Sequence, residues 1–443
     1  MTDLASRVSG IMDEAVRLLD RLCRQPSISA QTLEIPEMAE LLAREMNALG
    51  VRAEVRRTAG HPVVVGRAGG EGTKTLLFYN HYDVQPADPL DEWVTPPFDP
   101  SIRDGRFYAR GATDNKGNIV SRLMAVRLLR DDGALPLSVK FLAEGEEEIG
   151  SPSLPAWASA NKQLLAADGC VWEDTFRDEP DVATITLGNK GMCYLQLECV
   201  TASADFHSSY AGIYPNAARR LAGALGTLWD ADGRVAVEGF YRDIRPHTDE
   251  DRQLLAKLPP IDMAERQRAF ALAHVPHPDG RDARRVHLTE PTCNLAGLEA
   301  GYAGRGSKTV IPRRAVAKVD IRLVPDQDPE RVLDAVKAHL ARHGYGDVRV
   351  LALDTTPPSK TAPGRLSRTM EDAALAVYGR PAQVEPWGTG STPNWIASTL
   401  LGIPTAATGI GVVGSNTHGP NESVGLDDLR RGILYMAEIM RRF

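Results

Sequence analysis

Cysteine is scarce in this chain: Cys23, Cys170, Cys193, Cys199 and Cys293 are the only five among 443 residues. The odd number and the lack of any CxxC spacing argue against a disulfide framework or a cysteine-based zinc site. They read as reduced, mostly packed thiols, and no His–Asn context marks one of them as a nucleophile. No apolar stretch approaches the roughly 18 residues that a membrane-crossing helix needs, so no membrane partner is expected. Residues Met1 to Leu4 show no basic segment leading into an apolar core, so a secretory signal is not expected and a cytoplasmic location is. Basic residues are not in excess: the net charge is −7, the pI is 5.9, and no clustered basic face points to nucleic acid. Internal repeats and low-complexity segments are absent. What is present, 43% hydrophobic and 25% charged residues, is the composition of an ordinary globular protein. The length predicts two or three domains rather than one core.

Hydrophobic spacing predicts helices over 11–23 and from Pro36 to Gly50, then strands over 51–55, 63–65 and 76–80. A polar loop follows from Val84 to Pro100, then a helix over 118–129 and strands over 137–143 and 169–173. Strands and helices alternating at this spacing imply βαβ units, an α/β fold with a mostly parallel sheet and helices on both faces. The texture changes near residue 187. A strand over 192–200 and a helix over 216–229 precede a charged, irregular stretch over 230–285 that contains helical segments. Ala315, Ala317, Val319, Ile321 and Leu323 then alternate with Val316, Lys318, Asp320 and Arg322, the pattern of an antiparallel strand wet on one face. A helix over 329–343 and a strand over 348–353 complete a small α+β layer. The helix from Leu366, the strand 404–408 and the helix 427–441 return to the first texture. The simplest organisation is one α/β domain (1–186 and 357–443) interrupted by an inserted α+β domain over 187–356.

The chemistry gathers at strand ends. The apolar run 76–80 stops abruptly in His81 and Asp83, and the carboxyl ends of strands in open α/β sheets are where ligands usually bind. An imidazole with a carboxylate behind it suits a metal. Asp114 lies in the glycine-flanked loop Gly111–Gly117, where it could be a ligand or merely the cap of the next helix. Glu144, Glu146, Glu147 and Glu148 crowd the end of another strand, and such like charges repel unless a cation sits between them; a solvated acidic turn is the plainer alternative. Asp174 follows a third strand. His418 lies in a loop without apolar period, where a surface role is the ordinary one. Two imidazoles and four or five carboxylates make a dinuclear site for divalent metal plausible.

Together these segments resemble the M20 family of metallopeptidases, and within it the non-specific dipeptidases and carnosinases. The matching segments are HYDVQP (81–86), GATDNKG (111–117), EGEEEIGS (144–151), DFHSS (205–209), SKTVIP (307–312), IRLVP (321–325) and SNTHGPNE (415–422), in family order over most of the chain. The resemblance implies a zinc-peptidase-like mixed sheet sandwiched by helices, with the insert as lid and dimerisation domain. It implies two divalent ions, Zn2+ first and Mn2+ or Co2+ as options. His81, Asp114 and Asp174 would hold one, and Asp114, Glu148 and His418 the other. Glu147 would activate the water between them for cleavage of a dipeptide or similar small peptide, and Asp83 would orient His81. The bond after Asp114 would be cis. His207 would act in the partner's active site of a homodimer, and Arg322, Thr309 and Ser391 would contact substrate. Arg322 sits on the polar strand face, suited to a substrate carboxylate, and Gly390–Ser391 reads as a helix start that also suits an anion. The sequence departs from the family at Phe206 and Ser209, at Asn189–Lys190–Gly191 before the insert, and at Trp172–Glu173–Asp174, which leaves Glu173 as an alternative ligand. The departures weaken the substrate assignment more than the metal chemistry. An N-acyl or N-carbamoyl amino acid is the alternative substrate, and a non-catalytic metal-binding protein a third reading.

Overall fold

In the computed structural model, residues 2–69, 73–131, 133, 135–173 and 175–443 are described. An eight-stranded mixed sheet runs in the order Arg52–Arg56, Val63–Ala68, Ser138–Glu144, Thr75–His81, Gly169–Trp172, Thr405–Ala407, Thr184–Thr186, Gln383–Glu385. Its middle is parallel: Thr75–His81 pairs in parallel with both Ser138–Glu144 and Gly169–Trp172, which in turn pairs with Thr405–Ala407. The Arg52–Arg56 and Val63–Ala68 strands add antiparallel pairs at one edge.

The continuous apolar run of the central strand follows from burial on both faces. Leu76 and Phe78 pack with the helices Met12–Arg24, Lys116–Asp131, Arg365–Tyr378 and Leu426–Arg442. Leu77 and Tyr79 point the other way, among Leu154, Trp172, Ile396 and Ile403. Tyr79 and Trp172 stack with ring centroids 3.5 Å apart, tying two strands together next to the site.

A second, four-stranded antiparallel sheet is ordered Thr292–Ala300, Arg314–Leu323, Gly191–Val200, Arg349–Thr356. Leu195, Leu197, Val319 and Ile321 face the helices Ala217–Gly226 and Pro329–Arg342 in a separate core. The opposite face carries Lys318, Asp320 and Arg322, so the alternation of the sequence is kept in the structure.

Three features depart from the sequence reading. The helical segments expected within 230–285 are Asp249–Lys257, Met263–Ala269 and Gly280–Thr289, the last running past 285, and the stretch docks back on the first sheet, which its spacing did not foretell. There Asp251 pairs with Lys360 at 2.5 Å, and Trp387 donates to the Leu288 carbonyl at 2.6 Å. The Ser101–Arg103 and Arg106–Tyr108 strands form a small sheet with Ser423–Gly425, because pairing between segments more than 300 residues apart leaves no local signal. Finally, Gly390–Ser391 does not open a helix. The next helical turn is Ile396–Leu400, too far along and too short for its amino end to meet an anion at Ser391.

Candidate metal centre and active site

The strand ends converge. His81 is the last residue of its strand, Glu144 the last of the neighbour on one side, and Glu173 follows the last residue of the neighbour on the other. His81 is buried, with Nε2 2.9 Å from Asp114 Oδ1 and 3.8 Å from Glu173 Oε2. His418 approaches Asp114 from the other side: its Nε2 lies 2.9 Å from Oδ2 and 3.3 Å from Glu148 Oε2. Asp114 thus stands between two imidazoles, one on each carboxylate oxygen, instead of capping the helix that begins at Lys116. The Asp114–Asn115 peptide is cis. Gly111 has φ +84°, and a Cβ on Gly117 would lie 2.3 Å from the Ala112 carbonyl oxygen, so both loop glycines are required by the backbone path.

The acidic run 144–148 splits by direction. Glu144 accepts from Tyr79 Oη at 2.5 Å and Ser151 Oγ at 2.8 Å, and burial raises its pKa to about 8. Glu146 accepts from the backbone N–H groups of His61 and Ser153. Glu147 and Glu148 lie in the short turn Glu147–Ile149 and face the imidazoles. Asp83 sets that turn: its carboxylate accepts from the Glu147 N–H at 3.3 Å and the Glu148 N–H at 3.0 Å. Toward His81 the closer group is the Asp83 main-chain oxygen, 3.1 Å from Nδ1, with the carboxylate at 3.5 Å. Gln85 steadies Glu148 with a 2.9 Å hydrogen bond.

The charge balance is lopsided. Burial, followed by the charge of Glu173, pushes Glu147 well above the usual carboxylate range. His418 is raised to about 10, first by its hydrogen bond to Asp114 and then by Glu148. For His81 burial works downward, but the hydrogen bonds to Asp114 and Asp83 prevail and hold it well above an ordinary histidine. Asp114 is lowered: burial opposes, and the two imidazoles outweigh it.

This donor set fits divalent metal. One atom each of His81, Asp114 and Glu148 lie within 4.8 Å of one another, as do atoms of His81, Glu147 and Glu173. Imidazole nitrogen and carboxylate oxygen are ligands that Zn2+, Mn2+ and Co2+ all accept, and acidic groups crowded around two imidazoles favour a cation between them. Asp174 lies outside the described residues, whereas Glu173, its alternative, is buried beside His81.

The remaining predicted residues form two separate pairs. Arg322 Nη1 donates to Ser391 Oγ at 2.9 Å and Arg322 Nε lies 3.2 Å from Asp320. Exposed His207 accepts from the Ser209 N–H at Nδ1, and its Nε2 is 3.3 Å from Thr309 Oγ1. The hydrogen-bond partners of His207 are thus Ser209 and Thr309.

Residues that carried no predicted role hold the site in shape. Glu422 is buried and accepts four hydrogen bonds: from Arg110 Nη1 (2.8 Å) and the Gly111 N–H (3.0 Å) on one oxygen, and from the Thr113 N–H (2.9 Å) and Asp114 N–H (3.1 Å) on the other. Arg110 also donates to the carbonyls of Pro86 and His418. Buried Arg122 binds the Asn80 side chain and the Trp172 and Glu173 carbonyls, joining the ends of two strands. Glu422 stood inside a matching segment, but nothing local distinguishes it from a surface loop glutamate. Its partners lie more than 300 positions away.

Residues 77–442 match Peptidase family M20/M25/M40, and the chain belongs to this family of metallopeptidases. It is 31% identical to the Cys-Gly metallodipeptidase of Schizosaccharomyces pombe, over 74% of this chain and 73% of the relative. It is 32% identical to the Beta-Ala-His dipeptidase of Rattus norvegicus, over 74% and 71%. Among solved structures, an M20 family metallo-carboxypeptidase from Sulfolobus solfataricus superimposes with a TM-score of 0.93 at 40% identity, covering 97% of this chain and 99% of the other. Human carnosine dipeptidase 1 superimposes with a TM-score of 0.81 at 26% identity, covering 99% and 98%.

Proposed function

We propose that this chain hydrolyses the amide bond of dipeptides or similar small peptides, with His81, Asp114, Glu148, His418 and one of Glu173 and Asp174 holding two divalent ions, Zn2+ foremost. The observation that carries the reading is the placement of Asp114 between His81 and His418 with the acidic pair Glu147–Glu148 beside them. Bound there, the ions would act as Lewis acids and make water more acidic. Glu147, whose pKa is raised, takes the proton of the attacking water and returns it to the leaving amine. Arg322, held by Ser391 and Asp320, receives the substrate carboxylate through paired charge-assisted hydrogen bonds. His207 of a second copy, with Thr309 against its ring, stabilises the oxyanion in a homodimer whose lid is the 187–356 insert. Five free thiols, four of them buried, support a reducing, cytoplasmic setting.

Release of the carboxyl-terminal residue from longer peptides is a second reading, favoured by the 40% identity to the Sulfolobus metallo-carboxypeptidase. The test is a metal-reconstituted screen over dipeptides, longer peptides, N-acetyl amino acids and N-carbamoyl amino acids, run with wild type and Glu147→Ala. The variant should keep its metal content by elemental analysis and lose about 10²–10⁴-fold in turnover. Normal turnover by Glu147→Ala would remove Glu147 from the mechanism, and hydrolysis confined to acyl amino acids would replace the peptide reading.

A further inference from the structure

A cavity of about 810 Å³ lies between the two sheets. That is the size of a site for a small ligand. Its wall on the larger sheet includes Thr184, Thr186 and Glu385, together with Thr175, which lies two residues along the chain from Glu173. Its opposite wall includes Lys190, Thr292 and Arg322. We propose that this cavity is a subsite for an acidic residue on the carboxyl side of the scissile bond, and that Lys190 reads its side-chain carboxylate. The proposal rests on the peptide-hydrolase reading above and deepens it.

Strand register puts the two cations together. Arg322 stands opposite Met192 on one neighbouring strand and opposite Thr292 on the other. Lys190 precedes Met192 by two residues, and its Nζ donates to the main-chain oxygen of Glu290, two residues before Thr292, at 2.6 Å. Lys190 is 3% exposed, and among the described residues no carboxylate pairs with its ammonium. A buried cation served only by a carbonyl is left short of charge compensation, which an anionic ligand group would supply. Burial lowers its pKa to about 8, with Glu290 opposing and Arg322 adding to the fall, so the charge is destabilised where it stands.

The acidic groups of the cavity do not compete for Lys190. Arg284 sits between Asp178 at 3.6 Å and Glu385 at 3.7 Å, while the Glu290 carboxylate accepts from Arg285 at 2.8 Å. Arg322, already oriented by Ser391 and Asp320, takes the main-chain carboxylate of the substrate. Lys190 is then left for a second negative group.

The test compares alanyl-glutamate with its neutral isostere alanyl-glutamine, and with alanyl-lysine. Binding is measured by calorimetry on the metal-loaded Glu147→Ala protein, and kcat and KM on the protein with Glu147. The expected result is that alanyl-glutamate binds about tenfold or more tighter than alanyl-glutamine, the scale of a hydrogen bond to a charged group. The kinetic preference should appear in KM. Lys190→Met should bring the ratio close to one, and Lys190→Arg should restore most of it. Equal binding of the two dipeptides, tighter binding of alanyl-lysine, or a preference that survives Lys190→Met would overturn the proposal. If Lys190→Met does not fold, the wild-type ratio and Lys190→Arg decide. Failure to hydrolyse any dipeptide would remove the functional reading, while the binding ratio still reports on Lys190.

Discussion

Replacing Glu422 by glutamine tests how the metal-ligand loop is held. The substitution keeps shape and exchanges one carboxylate oxygen for an NH2 group. Each oxygen of Glu422 faces two N–H donors, Arg110 with Gly111 and Thr113 with Asp114. Whichever way the amide turns, a donor meets two donors. Two buried hydrogen bonds are lost, each leaving a group that costs about 1–3 kcal/mol unsatisfied. Arg110, 1% exposed like Glu422, also loses its buried counter-ion, an effect of about 3–5 kcal/mol in such pairs. These terms overlap, and Arg110 keeps the Pro86 and His418 carbonyls, so the lower end, about 3 kcal/mol, is expected. Glu422 places the Asp114 N–H directly and the His418 main chain only through Arg110, so metal affinity should fall by about 10–100-fold. Urea unfolding midpoints and competition with a chromogenic chelator measure the two effects. A stability loss under about 1 kcal/mol with unchanged chelator competition would refute the reasoning. It would mean that Glu422 is protonated, yet a protonated carboxyl cannot accept from four donors.

The Asp251–Lys360 pair, 1% and 6% exposed, should make docking of the helical insert segment acid-sensitive. Burial raises the Asp251 pKa, but the Lys360 hydrogen bond and charge together with the Thr248 hydrogen bonds outweigh it, and the folded value lies below the usual one. The stabilisation is therefore complete above the unfolded pKa of about 3.9 and lost as pH falls through the lower folded value. Asp251→Asn should cost about 3 kcal/mol at neutral pH, with the gap to wild type closing in urea melts below about pH 4. A gap independent of pH would show that the pair is not the cause. For the homodimer, His207→Ala and Glu147→Ala subunits, each inactive alone, should regain activity when mixed and allowed to exchange, since a mixed dimer contains one intact site. Absence of recovery in a mixture that ultracentrifugation shows to be exchanged dimers would place His207 outside the partner's site.

Much of the fold was legible because its signals are local. The strand Thr75–His81 announced itself as an apolar run, and Arg314–Leu323 as an alternation, since burial on two faces or on one writes directly into the residue order. The small sheet joining Arg106–Tyr108 to Ser423–Gly425 was not legible: its strands are three residues long and find each other only after collapse.

For the site, the sequence by itself determined which donors exist and that they stand at strand ends. It also carried the ordered segments by which the chain resembles the M20 peptidases. Only the tertiary structure decided what each carboxylate does. Of the run 144–148, Glu144 and Glu146 turn to Tyr79, Ser151, Ser153 and His61, and only Glu147 and Glu148 reach the imidazoles. Asp83 spends its carboxylate on the turn below Glu147 and Glu148 and offers His81 its main-chain oxygen more closely. The physical reason is that a carboxylate's role is set by the donors and charges within a few ångströms of it. Asp114 acquires that role only when folding brings His81 and His418, 33 and 304 positions away, to its two oxygens.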